Sequence, residues 1–314
     1  MFDMSVVISA YNRCESLRDT LESLVDQRVN QDLHYEIIVV DNNSKDETRT
    51  VVEGIALKSK RPVRYLFEPI QGKSYAMNCG TRAALGKFVA YCDDDVVADQ
   101  DWVQNLCEAF LAYDADTVGG PVRPLWFKKP PEWLESPEKQ FGPLAILDRG
   151  NKPIIAGETE RVGGNFLLGS NIAIRSSVLR EVGLFRTDLG RAAGNLAGGE
   201  DSEMVRRLLE RGKRLVYVPT AIVNHKVPAE RMTLAYLRRW NFWMARSNVR
   251  MSTFRHVTFA VLLLECLKSM GVAFSYYAIG ARVKAIGAEI NFWWRLGMLT
   301  EMLSRKGDID HANR

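Results

Sequence analysis

Three short β-branched runs, each closed by polar residues and followed by a helical pattern, limit what this chain can fold into more than any other feature. The runs cover residues 5–9, 36–40 and 88–91. Residues 16–27, 45–60 and 74–85 carry apolar side chains at helical spacing, as Leu17, Leu21, Leu24 and Val25 do in the first. Parallel strands need a crossover, and a crossover helix covers one face of the sheet. The expected class is therefore α/β, with a mainly parallel central sheet flanked by helices. Ligands of such sheets gather at the carboxyl ends of the strands.

Polar residues stand at each of those ends: Tyr11-Asn12-Arg13, Asp41-Asn42-Asn43-Ser44 and Asp93-Asp94-Asp95. No GxGxxG follows the first strand and no GxxxxGK[ST] occurs, which argues against a dinucleotide-binding Rossmann domain and a P-loop enzyme. The 314 residues, 46% hydrophobic, suit one large domain with an appendage. That domain is expected over 1–227, with a nucleotide-binding half at about 1–120 and an acceptor half at about 121–227. From Pro228 the chain turns helical, aromatic and basic, so 228–314 is assigned to an amphipathic helical extension. The Pro-rich stretch 121–153, with Trp126 and Trp133, reads as irregular, and regular pattern returns at 163–174. Residues 201–211 suit a helix and 214–218 a strand.

A net charge of +4 is too small to argue for nucleic acid, although arginines gather after Arg231. Cys14, Cys79, Cys92, Cys107 and Cys266 show no CxxC spacing, which fits a reducing compartment. The N-terminus lacks the basic start of a signal peptide, so a cytoplasmic location is expected. The apolar runs 257–264 and 269–281 are separated by Glu265 and Lys268, and neither reaches the ~18 residues of a membrane span. They are expected to lie in a membrane interface or against another protein surface.

The acidic triplet is the sharpest chemical signal. Like charges ~4 Å apart repel by ~4 kcal/mol at an effective dielectric of ~20, so the cluster calls for a compensating cation. If the segment stays extended, Asp93 and Asp95 share a side and can converge on Mg²⁺ or Mn²⁺, while Asp94 faces away and tolerates replacement best. The competing reading is an acidic turn, with Asp101 capping a helix near Trp102. Asp41 begins either an Asx turn or a nucleotide contact. Gly72-Lys73 is either a plain turn or a close approach to a diphosphate. Gly199-Glu200-Asp201 opens a helix, where acidic residues are favoured anyway, or supplies a general base. His225 is either a buried hydrogen-bonded residue or a metal ligand.

In order, Val6 to Arg13, Ile38 to Ser44, Gly72 to Asn78, Asp93-Asp94-Asp95 and Gly199-Glu200-Asp201 resemble the motifs of an inverting family 2 glycosyltransferase with the GT-A fold. The resemblance implies that Ala10, Tyr11 and Arg13 lie along the nucleotide, and that Asp41, with Asn43 beside it, reads the uracil of a UDP-sugar. It implies a diphosphate side lined by Gly72, Lys73 and Asn78. Asp93 and Asp94 would adjoin the nucleotide-sugar, Asp95, Asp93 and His225 would hold Mg²⁺ or Mn²⁺, and Asp201 would be the catalytic base with Glu200 as the alternative. Met77 stands where relatives often carry arginine. Tyr236 replaces the glutamine of the QxxRW motif of processive synthases, while Arg239 and Trp240 keep the Arg-Trp pair. Transfer of one sugar is expected, rather than polymerisation. A nucleotidyltransferase and a non-catalytic nucleotide-sugar-binding protein are the alternatives.

Residues 231–246 mix arginines with large aromatics, as interfacial helices do. An ordinary docked helix with solvated arginines, or an oligomer contact, fits equally. On the membrane reading the acceptor is a polyprenyl-linked sugar or a glycan precursor, and Arg231, Arg239 and Trp240 are candidates to meet it or the diphosphate. The protein would then be peripheral on the inner face of the cell membrane.

Overall fold

The computed structural model describes residues 2–131, 134, 140–158, 163–251 and 258–312; Trp133 and Val257 fall outside them. Among the described residues the chain begins β1 (Met4–Ala10), α1 (Cys14–Val25), β2 (Tyr35–Asp41), α2 (Thr48–Ala56), β3 (Val63–Phe67), α3 (Lys73–Ala83) and β4 (Phe88–Asp93). It continues through β5 (Val96–Ala98), α4 (Trp102–Ala112), β6 (Thr117–Gly119), β7 (Val122–Trp126), β8 (Gln140–Phe141), β9 (Ile146–Leu147) and β10 (Ile154–Ile155). Then follow β11 (Ile172–Arg175), α5 (Ser176–Val182), α6 (Glu200–Glu210), β12 (Leu215–Tyr217) and β13 (Val223–Val227). The last elements are α7 (Leu234–Met251), α8 (Phe259–Ala278) and α9 (Arg282–Ala312).

Chain contacts define two units, one of Met1–Phe127, Ser136–Thr187 and Glu200–Val227, the other of Lys128–Glu135, Asp188–Gly199 and Pro228–Arg314. In the first, an eight-stranded sheet runs β10-β12-β6-β11-β4-β1-β2-β3. Its centre is parallel, β1 pairing with β2 and β4, and β2 with β3. Only β11 and β10 run against their neighbours. Helices cover both faces. Val6 and Ile8 of β1 pack with Leu17, Leu21 and Leu24 of α1, whereas Val7 points to Ala76 and Met77 of α3. Two buried faces are why these strands read as near-continuous apolar runs.

Register places the polar strand ends together. Ala10 pairs with Asp41, and Ser9 with Asp93, so the turns after β1, β2 and β4 open on one edge.

Two expectations are corrected here. The stretch 121–153 is not irregular throughout: β7, β9 and β8 belong to a second sheet ordered β5-β13-β7-β9-β8. Pro124 hid this, yet β7 meets β9 only at Val122, and past that point it is an edge on which proline is tolerated. Conversely, only the end of 163–174 is a strand, β11. The sequence also gave no warning of β3, a half-buried edge strand.

In the second unit α9 packs along both α7 and α8, around Ala245, Val249, Leu262, Cys266, Met298 and Leu299. Glu301 on α9 accepts hydrogen bonds from Arg246 (2.9 Å) and Arg250 (2.7 Å) of α7, and Glu289 pairs with Arg238 at 2.7 Å. A third expectation is corrected on α8. Glu265 and Lys268 do not interrupt it, and its 20 residues are long and apolar enough to cross a membrane by length and composition.

Candidate active site

Local chemistry builds the edge where β1, β2 and β4 end. Asn12 and Asn43 take left-handed backbone conformations (φ 50° and 65°), which asparagine tolerates, and this turns the chain sharply after both strands. The two turns are stitched together: Asn12 N donates to Ser44 Oγ (3.0 Å) and Lys45 N to Asn12 Oδ1 (2.7 Å). Asp41 is buried, its Oδ1 accepting from Ser44 N and its Oδ2 from Tyr65 Oη, each at 2.8 Å. Burial and the bond to Asp41 push the Tyr65 hydroxyl up to about 12, so it stays a donor.

Asn42 organises the next loop. Its Nδ2 donates to the carbonyls of Glu68 (3.1 Å) and Ile70 (2.7 Å), and its Oδ1 accepts from Gly72 N (2.8 Å). Gln71 donates to the Asn42 carbonyl. Gly72 has φ 144°, and a Cβ there would meet the Tyr75 ring at 3.0 Å, so glycine is required where the loop turns into α3. That start of α3 brings in Lys73. Its Nζ lies 2.5 Å from Asp93 Oδ1 and 3.4 Å from Glu200 Oε1. Burial pushes its ammonium down, but Asp93, Glu200 and Asp201 outweigh that and hold it above the usual lysine range.

The acidic triplet does not continue as a strand. β4 stops at Asp93 and β5 starts at Val96, so Asp94 and Asp95 occupy a turn. This overturns the expected alternation. Asp93 is drawn to Lys73, while Asp94 and Asp95 share Arg13, whose Nη1 is 3.0 Å from Asp94 Oδ1 and 2.9 Å from Asp95 Oδ2. Far from facing away, Asp94 is buried and its Oδ2 accepts from Tyr11 N at 3.3 Å. Burial raises its carboxyl to about 6, with Arg13 pulling the other way. Arg13 and Lys73 are thus the cations that the cluster called for.

His225 lies within β13, not after a strand, and its register partner is Val96, next to Asp95. Its Nε2 is 3.4 Å from Asp95 Oδ2. A carboxylate oxygen and an imidazole nitrogen this close would both be able to ligate one divalent ion, so Asp95 and His225 are the residues that would hold Mg²⁺ or Mn²⁺. Asp93 does not join them, and among the described residues no three His, Cys, Asp or Glu side chains form a metal-holding group.

At the start of α6, Glu200 and Asp201 divide. Glu200 meets Lys73; burial raises its carboxyl, and Oε2 is buried without a hydrogen-bond partner. Asp201 accepts from Gly169 N (2.8 Å) through Oδ2 and from Ser202 N (2.7 Å) through Oδ1.

Other expected residues go elsewhere. Asn78 is buried and clips the Phe185 backbone, Nδ2 donating to its carbonyl (2.8 Å) and Oδ1 accepting from its N–H (3.0 Å). Those bonds tie the middle of α3 to the backbone at Phe185. Met77 sits in the apolar core, so its departure from arginine falls on a covered face. Asp101 occupies the N-cap of α4 without capping it, because its carboxylate is engaged by Arg28 at 2.7 Å. Arg231, in a short helical turn, is buried, whereas Arg239 is exposed and Trp240 half-buried on α7; all three belong to the second unit. Asn42, Tyr65 and Gly169 were not singled out from the sequence. Asn42 stands inside the Asp41-Asn42-Asn43-Ser44 motif, whereas no sequence pattern marks Tyr65 or Gly169.

A mainly parallel sheet with strand-end carboxylates, a glycine–lysine helix start and a Glu-Asp helix start match the GT-A glycosyltransferase fold. Residues 5–182 match the model described as "Glycosyl transferase family 2", and the chain belongs to that family of glycosyltransferases. It is 31% identical over 252 residues to a glucosyl-dolichyl phosphate glucuronosyltransferase of Haloferax volcanii, covering 78% of this chain and 75% of that protein. It is 28% identical over 249 residues to the succinoglycan biosynthesis protein ExoM of Rhizobium meliloti, covering 79% and 74%. Among solved structures, mannosyltransferase PcManGT from Pyrobaculum calidifontis, in complex with GDP-Man and Mn²⁺, superposes with TM-score 0.59 at 19% identity, over 98% of this chain and 75% of that one. TarS 1–349 of S. aureus, in complex with UDP, gives TM-score 0.52 at 16% identity, over 98% and 92%.

Proposed function

We propose that the chain transfers one sugar from a UDP-sugar to a hydroxyl of a polyprenyl-linked or glycan acceptor, with inversion at the anomeric carbon. The observation that carries this reading is the convergence of Asp41, Lys73, the Asp93–Asp95 turn and Glu200-Asp201 on one sheet edge. In this reading Asp41, held by Tyr65 and Ser44, receives the base N–H, and Tyr11 and Arg13 flank the nucleotide. Arg13 and Lys73 place positive charge where the diphosphate lies. Asp201 accepts the proton of the attacking hydroxyl, its carboxylate aimed by Gly169 and Ser202. Glu200, held on Lys73, sets the start of α6 beside it.

Asp95 and His225 are the residues that would hold Mg²⁺ or Mn²⁺, and a bound ion supplies charge neutralisation for the departing diphosphate. Names of relatives support the acceptor class, one acting on glucosyl-dolichyl phosphate. Such an acceptor makes the protein peripheral on the cytoplasmic face of a membrane.

The test is nucleoside diphosphate release from a panel of UDP- and GDP-sugars with Mg²⁺, Mn²⁺ or EDTA, and with polyprenyl-phosphate-linked sugar as acceptor. UDP release that depends on acceptor and ceases in EDTA is expected. Release of pyrophosphate instead, or GDP-sugar use alone, overturns the reading, and turnover untouched by EDTA removes its metal component.

A further inference from the structure

We infer that α8 lies along the headgroup plane of an anionic bilayer, inserting Leu263, Leu267, Met270 and Phe274 while its opposite face stays on α9. This deepens the membrane-linked acceptor reading and rests on it. The four side chains recur every three to four residues and so share one side of the helix, and they are 43%, 53%, 51% and 74% exposed. Leu264 and Tyr277 widen the same side at 66% and 45%. The other side, Leu262, Cys266, Ser269 and Ala273, is buried. A contiguous exposed apolar face of this size marks an interaction surface.

Charge selects the occupant. Among the described side chains of α7, α8 and α9 the carboxylates are already engaged: Glu289 by Arg238, Glu301 by Arg246 and Arg250, and Glu265 by Arg295 at 3.3 Å. Lys268, flanking the apolar side, is 71% exposed and only 3.8 Å from Glu265, and Arg282 and Lys284 stand exposed just beyond the helix end. The apolar face is thus bordered by cations, which suits anionic lipid. A second copy docking through this face would set those cations against their own images.

The α8–α9 contact argues against a span. Arg295 of α9 donates to Ser269 Oγ (2.7 Å) and to Glu265 Oε2 (3.3 Å), midway along α8. α9 carries Lys284, Glu289, Arg295 and Glu301 and cannot follow α8 into hydrocarbon without a large desolvation cost.

The test is co-sedimentation of the full chain with vesicles of phosphatidylglycerol mixed with phosphatidylcholine, and of phosphatidylcholine alone. Salt-sensitive binding to the mixed vesicles is expected, reduced by roughly tenfold or more in Leu267→Glu/Phe274→Glu. Circular dichroism and UDP affinity by calorimetry should stay at wild-type values in that variant. Depth is then read by lipid-borne quenchers on a fluorophore at Leu263→Cys or Tyr277→Cys, with Cys14 and Cys79 replaced by Ser. The two sites lie at equal depth if α8 is in-plane and differ by about 21 Å if it spans. Unequal depth, undiminished binding by the double variant, or a dimer that it dissociates while vesicles are ignored would each overturn the inference. None of these readouts uses an acceptor, so a failed acceptor reading shows up separately, as vesicle binding without transfer.

Discussion

Lys73 Nζ stands 2.5 Å from Asp93 Oδ1, and the same ammonium reaches Glu200 Oε1 at 3.4 Å, so one half-buried cation joins the end of β4 to the start of α6. The two acidic motifs are therefore not independent. Each carboxylate is held where it is partly because the other helps to hold the lysine.

Lys73→Met keeps the length of the side chain and removes its charge, leaving Asp93 and Glu200 facing each other. Lys73 and Asp93 are 19% and 23% exposed, so solvent screens part of the loss; removing one partner of a charged hydrogen bond costs about 1–3 kcal/mol, and urea denaturation should show a loss of that order. Adding Glu200→Gln should restore part of it, a non-additivity that a denaturant double-mutant cycle measures directly. Simple addition of the two losses would mean that the lysine does not couple the motifs.

Asp94→Asn tests the corrected role of the middle aspartate. An amide can present only one oxygen, so either Arg13 or Tyr11 N–H loses its acceptor and meets an NH₂ group. The expected destabilisation is about 1–3 kcal/mol, with weaker UDP binding by calorimetry because Tyr11 and Arg13 are no longer held. A variant as stable as the wild type and binding UDP equally well would restore the view that Asp94 merely faces away.

The parallel sheet and the positions of its polar ends were legible in the sequence because they depend on local periodicity and on which residues follow each strand. Ser9, Ala10, Asp41 and Asp93 needed no tertiary information beyond parallel register. The partners of the acidic triplet were not legible. Which of Asp93, Asp94 and Asp95 meets Lys73 or Arg13 is decided by where β4 stops, a one-residue matter that a strand-period argument fixes wrongly if the chain turns early. Asn78 shows the same limit: a motif position can be filled for a backbone clip with Phe185, 107 residues away, which no spacing reveals. Tyr65 and Gly169 act through single hydrogen bonds to Asp41 and Asp201, and such pairings leave no periodic trace.

Acid should loosen the helical unit through Glu301. Burial alone pushes this carboxyl up, yet hydrogen bonds from Arg250 and Arg246 hold it below 4.5. A folded value below the unfolded one means stability that is present above about pH 4.5 and lost as pH falls through the folded value. Glu301→Gln should therefore be less stable than wild type by about 2 kcal/mol near neutrality, the gap closing as pH falls below the ordinary glutamate range and through the lower folded value. Denaturant melts across pH 3 to 7 check this, and a gap independent of pH would assign the loss to packing.

Gly169→Ala is the most economical probe of the proposed base. Gly169 N donates to Asp201 Oδ2 at 2.8 Å, and a methyl group on Gly169 would stand 2.9 Å from Asp201 Cβ and 3.2 Å from Oδ2. Something must shift, and the nearest movable group is the carboxylate. If Asp201 takes the proton of the attacking hydroxyl, misplacing it by a fraction of an ångström should lower kcat by about 10²-fold while leaving donor KM and UDP affinity near wild type. Asp201→Asn should abolish transfer with the same retention of UDP binding, and combining the two should cost little beyond Asp201→Asn alone, because the methyl acts only through the group already removed. A rise in donor KM at unchanged kcat would instead place Gly169 and Asp201 in donor binding, and the base would then be sought at Glu200, whose Oε2 is buried beside them without a hydrogen-bond partner.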